Sequence, residues 1–133
     1  MEFYVVCTDM VTGNAVYHRC EHGTTEDIEW MRASSSMPLV SKVVKIDNLS
    51  LSDGGTADSI PIRFLEQQGY NKNIVILTQP KGFVKKRNSF LPILRVALRK
   101  YPALLRTLSN RHITYNETLK YIETQQNAGN LFV

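Results

Sequence analysis

The stretch LSLSDGGTADSIP, residues 49 to 61, places a carboxylate and two glycines where a strand-like pattern ends. Asp53 follows an alternating apolar and polar run, and Gly54 and Gly55 come directly after it. A carboxylate at the end of a strand can act as a general base, because strand ends open into the ligand crevice of α/β sheets. Asp-Gly-Gly is also common turn chemistry. From these three residues alone both interpretations stay open, and the turn is favoured.

Residues outside this turn add weight to the catalytic interpretation. The segment from Ala33 to Pro38 reads A-S-S-S-M-P at the end of a predicted helix, and two short predicted strands separate it from Asp53. Pro61 and an apolar run, NIVILT, follow the glycines. This order resembles the patatin-like phospholipases, in which an A-S-x-x-x-P segment precedes a D-G-G or D-G-A motif. The resemblance covers roughly residues 3 to 85 and points to the bacterial stand-alone patatin-like esterases.

The resemblance implies a role for each residue of the motif. Asp53 would be the base of a Ser-Asp dyad that hydrolyses a lipid or a small ester without a cofactor. Ser34, Ser35, Gly54 and Gly55 would line the active site. In the family the nucleophile lies in G-x-S-x-G, and no serine of this chain has glycines both two residues before and two residues after it.

The base of a Ser-Asp dyad acts by deprotonating the serine, and without that serine Asp53 has no dyad nucleophile to activate. We therefore expect the chain to be the C-terminal portion of a patatin-like hydrolase, which supplies the dyad aspartate and is inactive by itself. The alternative is a non-catalytic α/β binding or interaction module in which Asp53 only turns the chain.

The cysteines and histidines predict no metal site. Cys7 and Cys20 flank a predicted hairpin and could face each other, but two cysteines are too few for a disulfide framework. His18, His22 and His112 have no ligand spacing with them. Without a recognisable secretion signal, we expect reduced cysteines and a cytoplasmic location.

The net charge of +4 is unevenly distributed. Residues 80 to 112 contain nine Lys and Arg and no Asp or Glu, whereas the rest of the chain contains seven basic and twelve acidic residues. Because basic amphipathic helices bind anionic lipid, residues 81 to 111 could place the protein at an anionic membrane surface. A solvated helix face is the alternative, and no motif or row of stacking aromatics indicates nucleic acid.

Turn and capping residues predict the elements of the first half. Two hairpins are expected, one over residues 3 to 20 around Gly13 and one over residues 41 to 52 around Asp47-Asn48. A helix should begin at Thr24 or Thr25 and end before Pro38. A second helix should begin at Pro61, and NIVILT should be a strand buried on both faces, which completes a βαβ unit.

The last third is predicted to be helical. Phe90, Leu94, Leu98 and Tyr101 form one apolar stripe, and Pro102 should interrupt the helix. Thr114 and Glu117 have capping-box spacing for a further helix that Gly129 closes, and LFV at the end is typical of a strand.

The fold class expected is therefore α/β: a partial patatin-like sheet with flanking helices, an N-terminal β-hairpin and a helical C-terminal third. Residues 1–133 would form a single partial domain, with an α/β part over 1–80 and a mainly helical part over 81–133. A sheet that lacks neighbouring strands exposes unpaired edges, so we expect a homodimer through the hairpin of residues 3 to 20 or the adjacent sheet edge.

Overall fold

A computed structural model describes residues 2–133. Mixed strands and helices confirm the α/β class, with a hairpin at the N-terminus and a long helix near the C-terminus. The chain forms two compact units. The first comprises the described residues up to Ser59 and Arg87–Arg111, and the second comprises Ile60–Lys86 and His112–Val133.

A four-stranded antiparallel sheet forms the centre of the first unit. Its strands are β1 (Phe3–Asp9), β2 (Ala15–Cys20), β3 (Val44–Ile46) and β4 (Leu49–Asp53), in the order β2-β1-β4-β3. Both predicted hairpins are confirmed. Gly13 (φ 73°) and Asp47 (φ 50°) provide the left-handed backbone that their turns require.

Helix α1 (Thr25–Ser34) covers one face of this sheet. It begins where the sequence predicts, because Thr24 and Asp27 form a reciprocal capping box at its first turn. Trp30 and Ala33 of α1 pack into a core with apolar side chains of β1, β3 and β4. The core residues contributed by the sheet are Val5, Cys7, Val44, Ile46 and Leu51.

Helix α3 (Leu91–Ala97) and the beginning of α4 (Pro102–Asn127) build a second core in the same unit. Pro102 separates the two helices as predicted. Leu94 and Leu98 of the predicted stripe are buried and Tyr101 packs beside them, but the assignment of Phe90 to this stripe is wrong. Phe90 precedes the first turn of α3 and is 65% exposed, and Leu91 takes the buried position.

The second unit contains α2 (Ile62–Gln67), the later part of α4, and two short strands, β5 (Asn73–Ile74) and β6 (Leu131–Phe132). The predicted C-terminal strand is thus present, and it pairs in parallel with β5. Four buried side chains form the core of this unit: Ile62, Val75, Ile122 and Leu131.

The prediction of a βαβ unit is wrong. Strand β4 is antiparallel to both of its neighbours, and β5 lies in a different sheet. The run NIVILT is not buried on both faces: Val75 is buried, whereas Ile74 and Ile76 are 80% and 89% exposed. Residues 73–78 therefore pack on one side only, although most of them are apolar.

The predicted helix start at Thr114 is also wrong, because α4 is continuous from Pro102 to Asn127. Residues 108–113 contain no glycine or proline, so the preceding turn satisfies the backbone N–H groups that a cap would otherwise bind. The end of α4 is as expected: Gly129 has φ 76° and its N–H donates to the carbonyl of Gln126.

Among the described residues, no helix combines the length and the apolar composition that crossing a bilayer requires.

Candidate functional site

Asp53 is the last residue of β4, and its backbone is fixed on two sides. Its N–H donates to the carbonyl of Ser36 at 2.8 Å, just beyond the end of α1. Its carbonyl accepts from the hydroxyl of Thr8 on β1, also at 2.8 Å. The expected position of Asp53 at the carboxyl end of a strand is confirmed. Its side chain is half-buried, and hydrogen bonds hold the backbone that carries it.

The Asp53 carboxylate bends back over the residues that follow it. Oδ1 accepts the N–H of Gly55 at 2.7 Å, and this bond caps a single 3-10 turn over Gly54–Thr56. Within residues 2–133, no Lys or Arg forms an ion pair with this carboxylate. The geometry thus combines a local turn contact with a carboxylate that forms no ion pair within the described residues, although the Arg111 guanidinium also lies beside Gly55.

Gly54 is required for steric reasons. A Cβ at this position would lie 2.0 Å from the carbonyl oxygen of Val6 on β1. Gly55 has more space: its Cβ would meet Oδ1 of Asp53 at 2.9 Å and Nη2 of Arg111 at 3.3 Å, both at side-chain ends. The first glycine therefore allows the turn to pack directly against β1.

The three serines of the A-S-S-S-M-P segment use their hydroxyls on the backbone. Ser34 donates to the carbonyl of Val6 at 2.6 Å, and Ser35 and Ser36 donate to carbonyls of α1 at 3.2 and 2.7 Å. Ser34 and Gly54 thus meet the same carbonyl of β1. The segment at the end of α1 and the Asp-Gly-Gly motif are neighbours in space, although 16 residues lie between Ser36 and Asp53 in the chain.

Arg111 was not identified as a site residue from the sequence. It is the last residue of the basic segment, and its guanidinium lies beside Gly55. Among the described residues its buried Nε has no hydrogen-bond partner. Its place at the end of a long basic run was the only signal, and that run indicated a surface rather than a site.

Cys7 lies opposite Asp53 in the register between β1 and β4. Burial raises the pKa of its thiol to about 12, with further contributions from the negative charge of Asp53 and from Cys20. Its Sγ donates to the carbonyl of Trp30 at 3.5 Å. A buried thiol with this pKa stays protonated at neutral pH, so Cys7 is not an activated nucleophile.

A second group of side chains lies where β2 meets the first turn of α1. His18, Cys20 and Asp27 each place a potential ligand atom within 4.8 Å of the other two. His18 and Cys20 are two residues apart on β2, so their side chains lie on the same face of the strand. Nε2 of His18 lies 3.1 Å from Oδ1 of Asp27. In the sequence, the His-x-Cys spacing on a predicted strand was the one usable signal for this group, and it gave no indication of Asp27.

Hydrogen bonds and burial shift the pKa values of Asp27 and Cys20 in opposite directions. The contact with His18, followed by the backbone N–H groups of Thr24 and His22, lowers the pKa of Asp27 to about 2. Burial, followed by the charge of Asp27, raises the pKa of the Cys20 thiol. The His18 ring stacks on Trp30 with centroids 4.3 Å apart, which holds the imidazole in place.

Cys7 and Cys20 do not face each other as the sequence suggested. The register pairs Cys7 with Val16 and Cys20 with Phe3, so the two cysteines lie at different levels of the hairpin. Both are free thiols.

Comparison with known proteins finds no family model and no curated protein that matches this chain.

Proposed function

We propose that this chain supplies the base of a patatin-like acyl-ester hydrolase. In this proposal Asp53 activates a serine that lies in a G-x-S-x-G segment outside residues 1–133, and the substrate is a phospholipid, a lysophospholipid or a smaller ester. One observation carries the proposal. The two segments on which the family resemblance depends meet at one point, where Asp53 binds Ser36 and where Ser34 and Gly54 both contact Val6.

The proposed chemistry needs a carboxylate that is held in place but not neutralised. Asp53 would accept the proton of the serine hydroxyl while the serine oxygen attacks the ester carbonyl. It would then return that proton to the leaving alcohol, and a water molecule would release the acyl group by the same route. The Gly55 N–H donates to Oδ1 and so orients the carboxylate.

The serines of this chain are poorly suited to act as the nucleophile. The hydroxyls of Ser34, Ser35 and Ser36 donate to backbone carbonyls at 2.6 to 3.2 Å rather than to the carboxylate of Asp53. Helix-end hydroxyls commonly bind the backbone in this way. The proposal therefore requires the serine and the oxyanion donors to come from further polypeptide.

Labelling with a fluorophosphonate probe tests the origin of the serine. The 133-residue chain should remain unlabelled and should not hydrolyse p-nitrophenyl butyrate. A longer polypeptide that includes the sequence encoded ahead of residue 1 should be labelled at one serine within G-x-S-x-G. Labelling of the 133-residue chain that disappears in Ser34→Ala, Ser35→Ala or Ser36→Ala would refute the proposal.

A second candidate function is a non-catalytic interaction module, and one contact favours it. The bond from the Gly55 N–H to Oδ1 of Asp53 is the kind that a turn aspartate makes for structural reasons. On this alternative, the upstream reading frame contains no G-x-S-x-G. Replacement of Asp53 by Asn would then change stability but no catalytic rate.

A further inference from the structure

We propose that His18, Cys20 and Asp27 form a binding site for a divalent transition-metal ion, with Zn²⁺ as the best-suited ion. This site is separate from the Asp53 motif, and the proposal does not depend on the hydrolase function. The three side chains offer one nitrogen, one sulfur and one oxygen ligand. This is the donor set that Zn²⁺ accepts, whereas Ca²⁺ and Mg²⁺ prefer oxygen ligands alone.

The distances are close to those of a metal site. With typical zinc–ligand bonds, two ligands of a tetrahedral site lie about 3.4 to 3.6 Å apart. Nε2 of His18 and Oδ1 of Asp27 are 3.1 Å apart, and no pair in the group exceeds 4.8 Å. A change of about 1 Å at the Cys20 side chain would bring the three ligand atoms to tetrahedral spacing.

The surrounding structure holds two of the three ligands in place. His18 stacks in parallel on Trp30, which fixes the plane of the imidazole. Asp27 Oδ2 accepts the N–H groups of Thr24 and His22 at 3.1 and 3.3 Å, and Oδ1 faces His18. Such supporting bonds orient the ligands of established metal sites. Cys20 is the adaptable member, on the last residue of β2.

Binding would replace the hydrogen bonds within the group and release one proton. The metal would take the place of the hydrogen bonds that Asp27 makes with Nε2 of His18 and with the Cys20 thiol, and the imidazole proton would reside on Nδ1. The Cys20 thiol would lose its proton to solvent and bind as the thiolate. Three protein ligands leave a fourth position for water or another small ligand.

Titration of the full 133-residue chain with Co²⁺ and with Zn²⁺ tests the proposal. Co²⁺ should produce a thiolate-to-cobalt charge-transfer band at one equivalent, and Zn²⁺ should abolish it by displacement. Cys20→Ser should eliminate the band, whereas the matched control Cys7→Ser should retain it. Calorimetry should show one Zn²⁺ per chain, bound at least about tenfold more weakly by Asp27→Asn or His18→Gln, as expected for the loss of a bound or supporting group.

Two further controls separate the site from a folding defect and from surface binding. The urea unfolding midpoint, followed by Trp30 fluorescence, reports whether each variant keeps its core, and the variants at positions 18 and 27 provide the test if Cys20→Ser does not fold. His112→Asn removes a histidine outside the cluster and should leave the affinity unchanged. No saturable binding, a band that survives Cys20→Ser, or a Zn²⁺ affinity that none of the three ligand variants changes would overturn the proposal.

Discussion

Replacement of Gly54 by Ala tests whether the Asp-Gly-Gly turn is fixed by close packing against β1. The new Cβ would lie 2.0 Å from the oxygen and 2.4 Å from the carbon of the Val6 carbonyl, so these backbone atoms must separate to at least 3.0 Å. Both partners are main chain and cannot rotate away. Overpacking of this kind costs about 1–3 kcal/mol.

A second cost comes from Ser34, whose hydroxyl donates to the same carbonyl at 2.6 Å. A shift of Val6 weakens this bond, which contributes about 1 kcal/mol. We therefore expect Gly54→Ala to lower the free energy of unfolding by about 2–4 kcal/mol, a large part of the stability of a small domain. Gly54 does not have a positive φ, so the loss reflects the contact rather than backbone strain.

Urea unfolding followed by the fluorescence of Trp30, the only tryptophan, measures this loss. Gly55→Ala is the matched control, because the nearest atoms to its Cβ are side-chain ends of Asp53, Arg111 and Ser59 rather than backbone atoms. It should change the free energy of unfolding by less than about 1 kcal/mol. A Gly54→Ala protein as stable as Gly55→Ala would refute the packing described for this turn.

Three other predictions concern pH, lipid and association. Burial raises the pKa of Cys7 from 9.0 to about 12, and burial together with the hydrogen bond to Asp58 raises the pKa of Tyr17 from 10.0. The protonated groups therefore stabilise the fold, fully below about pH 9 for Cys7 and below about pH 10 for Tyr17. Above these values the free energy of unfolding should fall by up to about 1.4 kcal/mol per pH unit for each proton. Urea titrations at increasing pH should show this slope reduced in Tyr17→Phe, and a flat profile would contradict it. Exposed Ile93 and Val96 lie on α3 within the basic segment, so the chain should sediment with vesicles rich in anionic lipid and should not bind neutral vesicles. High salt or the Ile93→Ser substitution should weaken the binding, and equal binding to both vesicle types would count against this surface. If chains pair through an edge of the four-stranded sheet, light scattering should show a dimer at higher concentrations, and a species of 15 kDa at every concentration would exclude it.

Local chemistry made much of the first unit predictable from the sequence. Gly13 and Asp47 specify the two hairpin turns, and Thr24 with Asp27 specifies the start of α1, because each acts within a few residues of itself. The position of Asp53 at a strand end followed from the alternation before it. These features needed no knowledge of distant contacts.

The errors arose where distant packing decides the outcome. The run NIVILT has the composition of a strand buried on both faces, but only Val75 and Leu77 face the core of the second unit. Thr114 and Glu117 have the spacing of a capping box, but Thr114 lies inside the continuous helix α4, where the backbone N–H groups are already hydrogen-bonded to the preceding turn. The register that separates Cys7 from Cys20 depends on the length of the hairpin turn, which the positions of the cysteines do not reveal.

The same limit applies to the candidate sites. Asp53 was identified from a motif, whereas Arg111 reaches the motif only through the fold. The group of His18, Cys20 and Asp27 joins a strand to the helix that follows it, and none of the three residues belongs to a metal-binding sequence motif.

The most direct test of the proposed function is the turnover of p-nitrophenyl butyrate by the longer polypeptide after replacement of Asp53 by Asn. Asp47→Asn is the matched control: it makes the same change in the exposed turn between β3 and β4, where a positive φ suits asparagine. If Asp53 is the base, Asp53→Asn should lower kcat by at least about 10²–10⁴, the usual contribution of a general base, while Asp47→Asn keeps the wild-type rate. Equal rates for the two folded variants would contradict the assignment of Asp53 as the catalytic base.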